Sequence, residues 1–246
     1  MNEEIRFFSK KNQNEITREW DLIAPVRDAQ VAAALDRSFS LVLEPWVLKH
    51  LGFAKTILDV GCGTGRLTTK LQRTGGVVVG LDPSSASIEI ARSHDSLSTY
   101  HTATVEDWAE SDSTARFDLV IANMVLMDTL QLDVVCAAIA QLGRGGRLLA
   151  TFTHPAFWPL YWGYASKPEF DYSHEVVVEA PFRTSSHDFA LPSTHVHRSL
   201  GSYLNAFRSN GLDVTHFEEL RGPEPVADFP FPRFVCIEAT INDAAS

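Results

Sequence analysis

An open α/β fold on a mostly parallel sheet is what this sequence predicts, on three observations. The run Thr56-Ile57-Leu58-Asp59-Val60 reads as a buried strand entering three closely spaced glycines, Gly61, Gly63 and Gly65, before a helix. A second apolar run, Val77-Val78-Val79-Gly80-Leu81, ends on Asp82 and Pro83. Continuous apolar runs of this length suit strands covered on both faces, as in parallel sheets. Apolar strands then alternate with helical segments as far as residue 152, the βαβ rhythm of an α/β domain.

Residues 15–48 read as two helices broken near Pro25, whose ring disfavours a helix interior. Residues 57–60 form the first strand and 64–71 begin its helix, with Gly75-Gly76 ending the connection. The second strand spans 77–81, and Ser84-Ser85 cap a helix covering 88–91. Residues 100–105 make a weaker third strand and 117–122 a strong fourth. A helix over 130–142 closes at Gly143, and 146–152 is the fifth strand. Beyond a helix over 200–209 stopped by Gly211, residues 212–217 and 234–239 supply two closing strands. Residues 154–197 break the rhythm. They are long for a connection and crowded with rings, Phe157, Trp158, Tyr161, Trp162, Tyr164, Phe170, Tyr172, Phe182 and Phe189, which marks an insertion that carries function.

At 246 residues the chain sits at the upper end of a single α/β domain. Its net charge is −10, with 31 acidic residues against 21 basic, and no run of four Lys or Arg occurs. A nucleic-acid substrate would call for a basic stripe, so none is expected. No apolar run reaches the length of a membrane span, and the polar start Met1-Asn2-Glu3-Glu4 lacks the apolar core of a signal peptide. Cys62, Cys136 and Cys236 show neither zinc spacing nor a disulfide framework, which fits a reducing cytoplasm.

The third glycine discriminates between cofactors. A dinucleotide fingerprint places its last glycine five residues after its first, where pyrophosphate meets the helix N-terminus. Here Gly65 follows Gly61 by four, and no basic residue lies within the turn. This motif resembles the first motif of class I S-adenosylmethionine-dependent methyltransferases, and the chain looks like a bacterial small-molecule member of that group. The resemblance runs from about residue 57 to 151 and continues more loosely to 239. It implies a Rossmann-like seven-stranded methyltransferase fold, mostly parallel, whose last strand runs antiparallel. It also implies an N-terminal helical lid over residues 1–50, ahead of a methyltransferase domain over 51–246 with the insertion 154–197.

The cofactor expected is S-adenosyl-L-methionine. Asp59, costly to bury unpaired, either accepts from loop N–H groups or faces the ligand's ammonium. Asp82 is spaced from the turn to accept from both ribose hydroxyls, or else it caps the helix after Pro83. Gly61, Cys62, Gly63 and Gly65 shape the turn. Past the third strand, the resemblance puts Asp107 at the adenine amine with Trp108 flanking the ring; a solvated acidic turn is the rival reading. Ala122 and Asn123 end the fourth strand, where similar enzymes receive the donor's ammonium. Trp20 opens a Trp-Asp-x-x-Ala-x-x-Tyr pattern of the lid, but Arg27 stands where tyrosine is common. It either forks to the methionine carboxylate or faces solvent.

Methyl transfer needs a nucleophile held in line and, for a neutral acceptor, a base. His154, just past the fifth strand, is the candidate base; a structural or acceptor-orienting role is the alternative. Phe157, Trp158, Tyr161, Trp162, Tyr172, His195 and His197 are candidates for the acceptor pocket, although the same rings suit a lid core or a subunit contact. His195 and His197 have no carboxylate close in sequence and Arg198 beside them, so no metal is expected. These residues predict methylation of an O, N or C atom of a small aromatic or apolar metabolite, by a monomer or homodimer. A cofactor-binding protein without turnover, a nucleic-acid or protein methyltransferase and a dehydrogenase are the weaker readings.

Overall fold

A computed structural model describes residues 5–183 and 188–243. Its main sheet has seven strands: β2 (Thr56–Val60), β3 (Val77–Asp82), β4 (Thr99–Thr102), β5 (Leu119–Asn123), β6 (Arg147–Thr153), β9 (Leu212–Leu220) and β10 (Phe234–Ile241). They lie in the order β4-β3-β2-β5-β6-β10-β9. The first five pair in parallel, while β10 runs antiparallel to both β6 and β9. The seven-stranded expectation stands.

Period-two alternation decides which side chain meets which layer. Leu58, Val120, Leu148, Val235 and Ile237 join one buried cluster, against α6 (Leu132–Leu142) and α8 (Leu200–Ser209). Ile57, Leu119, Ile121, Leu149, Phe234 and Cys236 face the opposite way. There they meet α2 (Glu44–His50), α3 (Arg66–Gln72) and a π-helical turn at Phe39–Leu43. Burial on both faces explains why the central strands read as unbroken apolar runs.

Two expectations are corrected. No break occurs at Pro25: α1 (Gln13–Ala32) is continuous, opened by a capping box between Asn12 and Glu15. Pro25 lies on its exposed side, where solvent can satisfy the carbonyl left without a donor. The third strand is also shorter than expected. Thr104 accepts a hydrogen bond from the Asp107 N–H and starts α5 (Val105–Ser111).

The insertion forms α7 (Trp158–Trp162) and a hairpin of β7 (Val176–Arg183) with β8 (Asp188–His197). The short β1 (Arg6–Phe8) adds to it, giving a second, antiparallel sheet in the order β1-β7-β8. β8 packs on α1, and the Val196 N–H donates to the Met127 carbonyl, which sets this sheet over the loop after β5.

Candidate active site

A cleft opens at the carboxyl ends of β2, β3 and β5, roofed by α1 and the π-helical turn. This is where an open α/β sheet places its ligands. Gly61, Gly63 and Gly65 all have positive φ, +63°, +54° and +74°. A methyl group added at Gly61 would lie 2.3 Å from the Val125 side chain, whereas one at Gly63 meets nothing within 4 Å. The turn therefore folds tightly against the β5 loop on one side and offers bare backbone to the cleft on the other. Gly65 does not line the cleft. It caps α3 and packs against Ala91 and Tyr100.

Two carboxyls flank this turn. Asp59 is buried and accepts from the Thr68 hydroxyl at 2.6 Å; burial lifts its pKa to about 7, with the Asp82 charge adding to the rise. Asp82 accepts from the Gly63 N–H at 2.9 Å and the Ser84 N–H at 2.8 Å, and burial lifts it to about 6. Asp82 thus braces the glycine turn from the next strand while still lining the cleft. Asp21 of α1 accepts from the Ser84 hydroxyl at 2.7 Å and joins the roof to α4 (Ser85–His94).

Trp20, Arg27, Asp59, Gly61, Cys62, Gly63, Asp82, Pro83 and Asn123 come together on the cleft wall. Arg27 is tied to Asp36 at 2.6 Å and to Gln30 at 3.1 Å. Asn123 accepts from Thr151 at 2.8 Å. Besides Gly65, three expected contacts are not on the wall. Asp107 is exposed, because α5 begins at Val105 and turns it outward; Thr104, Val105 and Glu106 line the cleft instead. Trp108 packs on His101 and Phe117, with centroids 5.8 and 5.7 Å away. Ala122 is fully buried in the sheet core.

The acceptor side departs further from expectation. His154 is 3% exposed and does not line the cleft. Its Nδ1 accepts from the Ala156 N–H at 3.2 Å and its Nε2 lies 2.5 Å from Glu219. Nε2 braces the end of β6 against β9, and Nδ1 is spent on the turn that follows β6. Phe157, Trp158, Tyr161, Trp162, Tyr172, His195 and His197 are likewise absent from the cleft wall. Trp162, Tyr164, Val178 and Ala180 make the small sheet's own core, with Trp158 and Phe170 against it. The Tyr164 hydroxyl meets His195 at 2.9 Å, and burial holds that imidazole neutral with a pKa near 3. His197 bonds the Tyr172 carbonyl. Phe157 stacks on Phe231, and the Arg233 guanidinium lies 3.8 Å over the Tyr161 ring. A three-stranded sheet with one apolar face has to cover it, and Trp158, Trp162, Tyr164 and Phe170 do so. Phe189 falls outside the described side chains.

Between α1 and the β5 loop the cleft wall carries polar groups beside Trp20. Gln13, Thr17, Asp128 and Thr129 lie there. Gln13 grips the β5 loop, donating to the Asp128 carbonyl and accepting from the Leu130 N–H, both at 3.0 Å. The Asp128 carboxyl is held well above the usual range by burial and by the charge of Glu19, opposed by a hydrogen bond from Trp20. Behind it, Lys11 joins Glu19, Glu179 and Thr194. Glu19 keeps one buried oxygen without a partner among the described residues. Asp128 was missed because only the folded β5 loop brings it under α1. Its sole sequence signal is a carboxylate five residues past the end of a central strand.

Residues 57–146 match the family model of a methyltransferase domain. The chain is 34% identical over 140 residues to a ubiquinone biosynthesis O-methyltransferase of Bradyrhizobium diazoefficiens, covering 55% of this chain and 53% of that protein. It is 34% identical over 101 residues to the enzyme so named in Mesorhizobium japonicum, covering 39% and 40%. Over this region the chain is similar to methyltransferases. The chain spans about half or less of the length of these curated relatives. Among solved structures, the 1,6-didemethyltoxoflavin-N1-methyltransferase of Burkholderia thailandensis superposes with a TM-score of 0.61 at 15% identity, covering 98% of this chain and 96% of that one. That likeness concerns the fold alone. S-adenosylmethionine is the cofactor of this methyltransferase family, and the cleft's chemistry fits it: bare backbone at Gly63 and buried carboxyls to accept from hydroxyl or ammonium groups.

Proposed function

We propose that the protein transfers a methyl group from S-adenosylmethionine to an O, N or C atom of a small, planar aromatic or apolar metabolite. One observation carries this reading: two buried carboxyls on neighbouring strand ends, Asp59 and Asp82, flank a glycine turn in a single cleft. Bound there, the donor supplies an electrophilic methyl carbon. Asp82 accepts from ribose hydroxyls, the Gly63 backbone allows close approach, and Asp59 faces the ammonium. Trp20 and Phe39 present flat apolar surface in the same cleft, which suits a planar acceptor. The acceptor enters between α1 and the β5 loop. A carboxylate oxygen of Asp128 takes its proton as the new bond forms, a task suited to a carboxyl whose proton affinity burial raises.

The buried free cysteines Cys62, Cys136 and Cys236 support a reducing cytoplasmic setting. The acidic balance argues against a nucleic-acid substrate, and no helix among the described residues is long and apolar enough to cross a membrane. We place the enzyme as a monomer or homodimer acting on a free metabolite. Calorimetry with S-adenosylhomocysteine and with NAD tests the cofactor. Transfer of labelled methyl to a panel of phenols, aromatic amines and N-heterocycles then tests the acceptor class. Binding of NAD in preference, or labelling confined to sugars and small acids, overturns the corresponding half.

A further inference from the structure

We propose a second site, for a borderline divalent transition ion of the zinc type, made by His50, His216 and Glu218 on the outer strands of the sheet. One ligand atom from each lies within 4.8 Å of the other two. His216 and Glu218 are two residues apart on β9, so their side chains share a face. His50 ends α2 and comes down onto that face, its ring centroid 5.2 Å from that of His216. None of the three lines the cofactor cleft.

Two imidazoles and a carboxylate are a zinc-type donor set, leaving a fourth position for water. Around zinc, with ligands at roughly 2.1 Å, tetrahedral donors stand about 3.4 Å apart. His216 Nε2 and Glu218 Oε2 already stand 3.4 Å apart. The surroundings already orient the set. Trp46 Nε1 donates to Glu218 Oε2 at 2.9 Å, and its ring meets His50 edge-on with centroids 4.4 Å apart. An indole bonded to a ligating carboxylate is the outer support that metal sites use. A further observation points to an unmet ligand: Nδ1 of His50 is buried with no hydrogen-bond partner among the described residues. Nearby Arg147 is occupied by Glu238 at 2.6 Å and by the carbonyls of His50 and Leu51, so Arg147 does not compete with an ion for Glu218. The ion would tie α2, whose residues pack beneath the cleft's roof, to the outermost strand, joining segments more than 160 residues apart. Binding of that kind adds to folding stability.

The test uses the full chain, freed of any tag and stripped of metal, titrated calorimetrically with zinc sulfate. Cobalt(II) provides the visible absorption of a four-coordinate site. One ion per chain is expected, with at least about a tenfold affinity loss in His216→Ala and in Glu218→Gln. His216 is exposed on an edge strand, so that variant should fold; Gln can still accept from Trp46. His174→Ala, which removes an exposed histidine paired with Asp171, should change nothing. A silent wild-type titration overturns the proposal, as does binding that survives both site variants or is lost in His174→Ala. S-adenosylhomocysteine binding is read separately, so failure here leaves the cofactor assignment standing.

Discussion

Asp82 has two duties, and one substitution weighs them together. It accepts from the Gly63 and Ser84 N–H groups and so holds the glycine turn in shape while facing the cleft. Asp82→Ala should weaken S-adenosylhomocysteine binding by roughly 10- to 100-fold, since hydrogen bonds to a charged group are worth about 1.5–3 kcal/mol. Calorimetry reads the loss, and an unchanged dissociation constant would remove Asp82 from the site. Asp128 and His154 make opposing predictions about proton transfer. Asp128→Asn should lower kcat by roughly 10²–10⁴ for a hydroxyl acceptor, with cofactor affinity nearly unchanged. His154→Ala should leave kcat within a few-fold and lower the denaturation midpoint, because the ring braces β6 against β9 through Glu219. Steady-state kinetics on both variants decides: a collapse of kcat in His154→Ala alone would restore the histidine as base.

At the scale of elements, the small sheet is held to the main body by buried charge as well as by packing. Lys11, its side chain 7% exposed, bridges Glu19 of α1 to Glu179 of β7 and reaches Thr194 of β8. Lys11→Met should cost roughly 3–5 kcal/mol, since it leaves the buried Glu19 carboxylate without its counter-ion and Glu179 with only Arg6, 3.7 Å away. The damage should be local. Hydrogen exchange should quicken in β7 and β8 before β2 and β5, and the KM for the acceptor should rise more than that for the donor. Uniform exchange across both sheets would show that the small sheet and the main sheet unfold as one. The aromatic insertion was legible as an unusual segment, but its destination was not. Ring-rich sequence is equally compatible with a pocket wall or a private core, and only the addition of β1 to the β7-β8 hairpin makes the core necessary.

Across the whole molecule, buried titratable groups pull in opposite directions with pH. Asp59, Asp82 and Asp128 are raised by burial, so the native state holds their protons more tightly than the unfolded chain does. Their effect is a stability that falls as pH rises from about 4 towards 7. His195, His197 and His50 are lowered, chiefly by burial. They act oppositely, costing stability as pH falls below about 6.5, where only the unfolded chain takes up their protons. The two sets oppose one another, and a difference between variant and wild type isolates one group. Asp59→Asn imitates the protonated acid, so its Tm relative to wild type should climb between about pH 4 and about pH 7, the interval between the unfolded and native pKa of Asp59. Cofactor-free thermal scans read this, and a pH-independent difference would mean that Asp59 titrates outside that window.

Strand-forming runs, the turn Gly61-x-Gly63-x-Gly65 and the carboxylates closing β2 and β3 are local features, so the sequence alone determined the parallel sheet, its ligand-binding edge and the kind of cofactor it serves. Burial on both faces and a positive-φ turn leave their mark in contiguous residues. Tertiary structure decided the rest. Whether Glu106 or Asp107 faces the cleft depends on where α5 starts, and a capping threonine shifts that by one residue with a rotation of about 100°. Whether His154 is a base or a brace depends on Glu219, which lies 65 positions away. Asp128 joins the site because Gln13, more than a hundred residues earlier, grips its loop. Such pairings depend on how remote segments pack, and no periodicity in one segment records its partner in another.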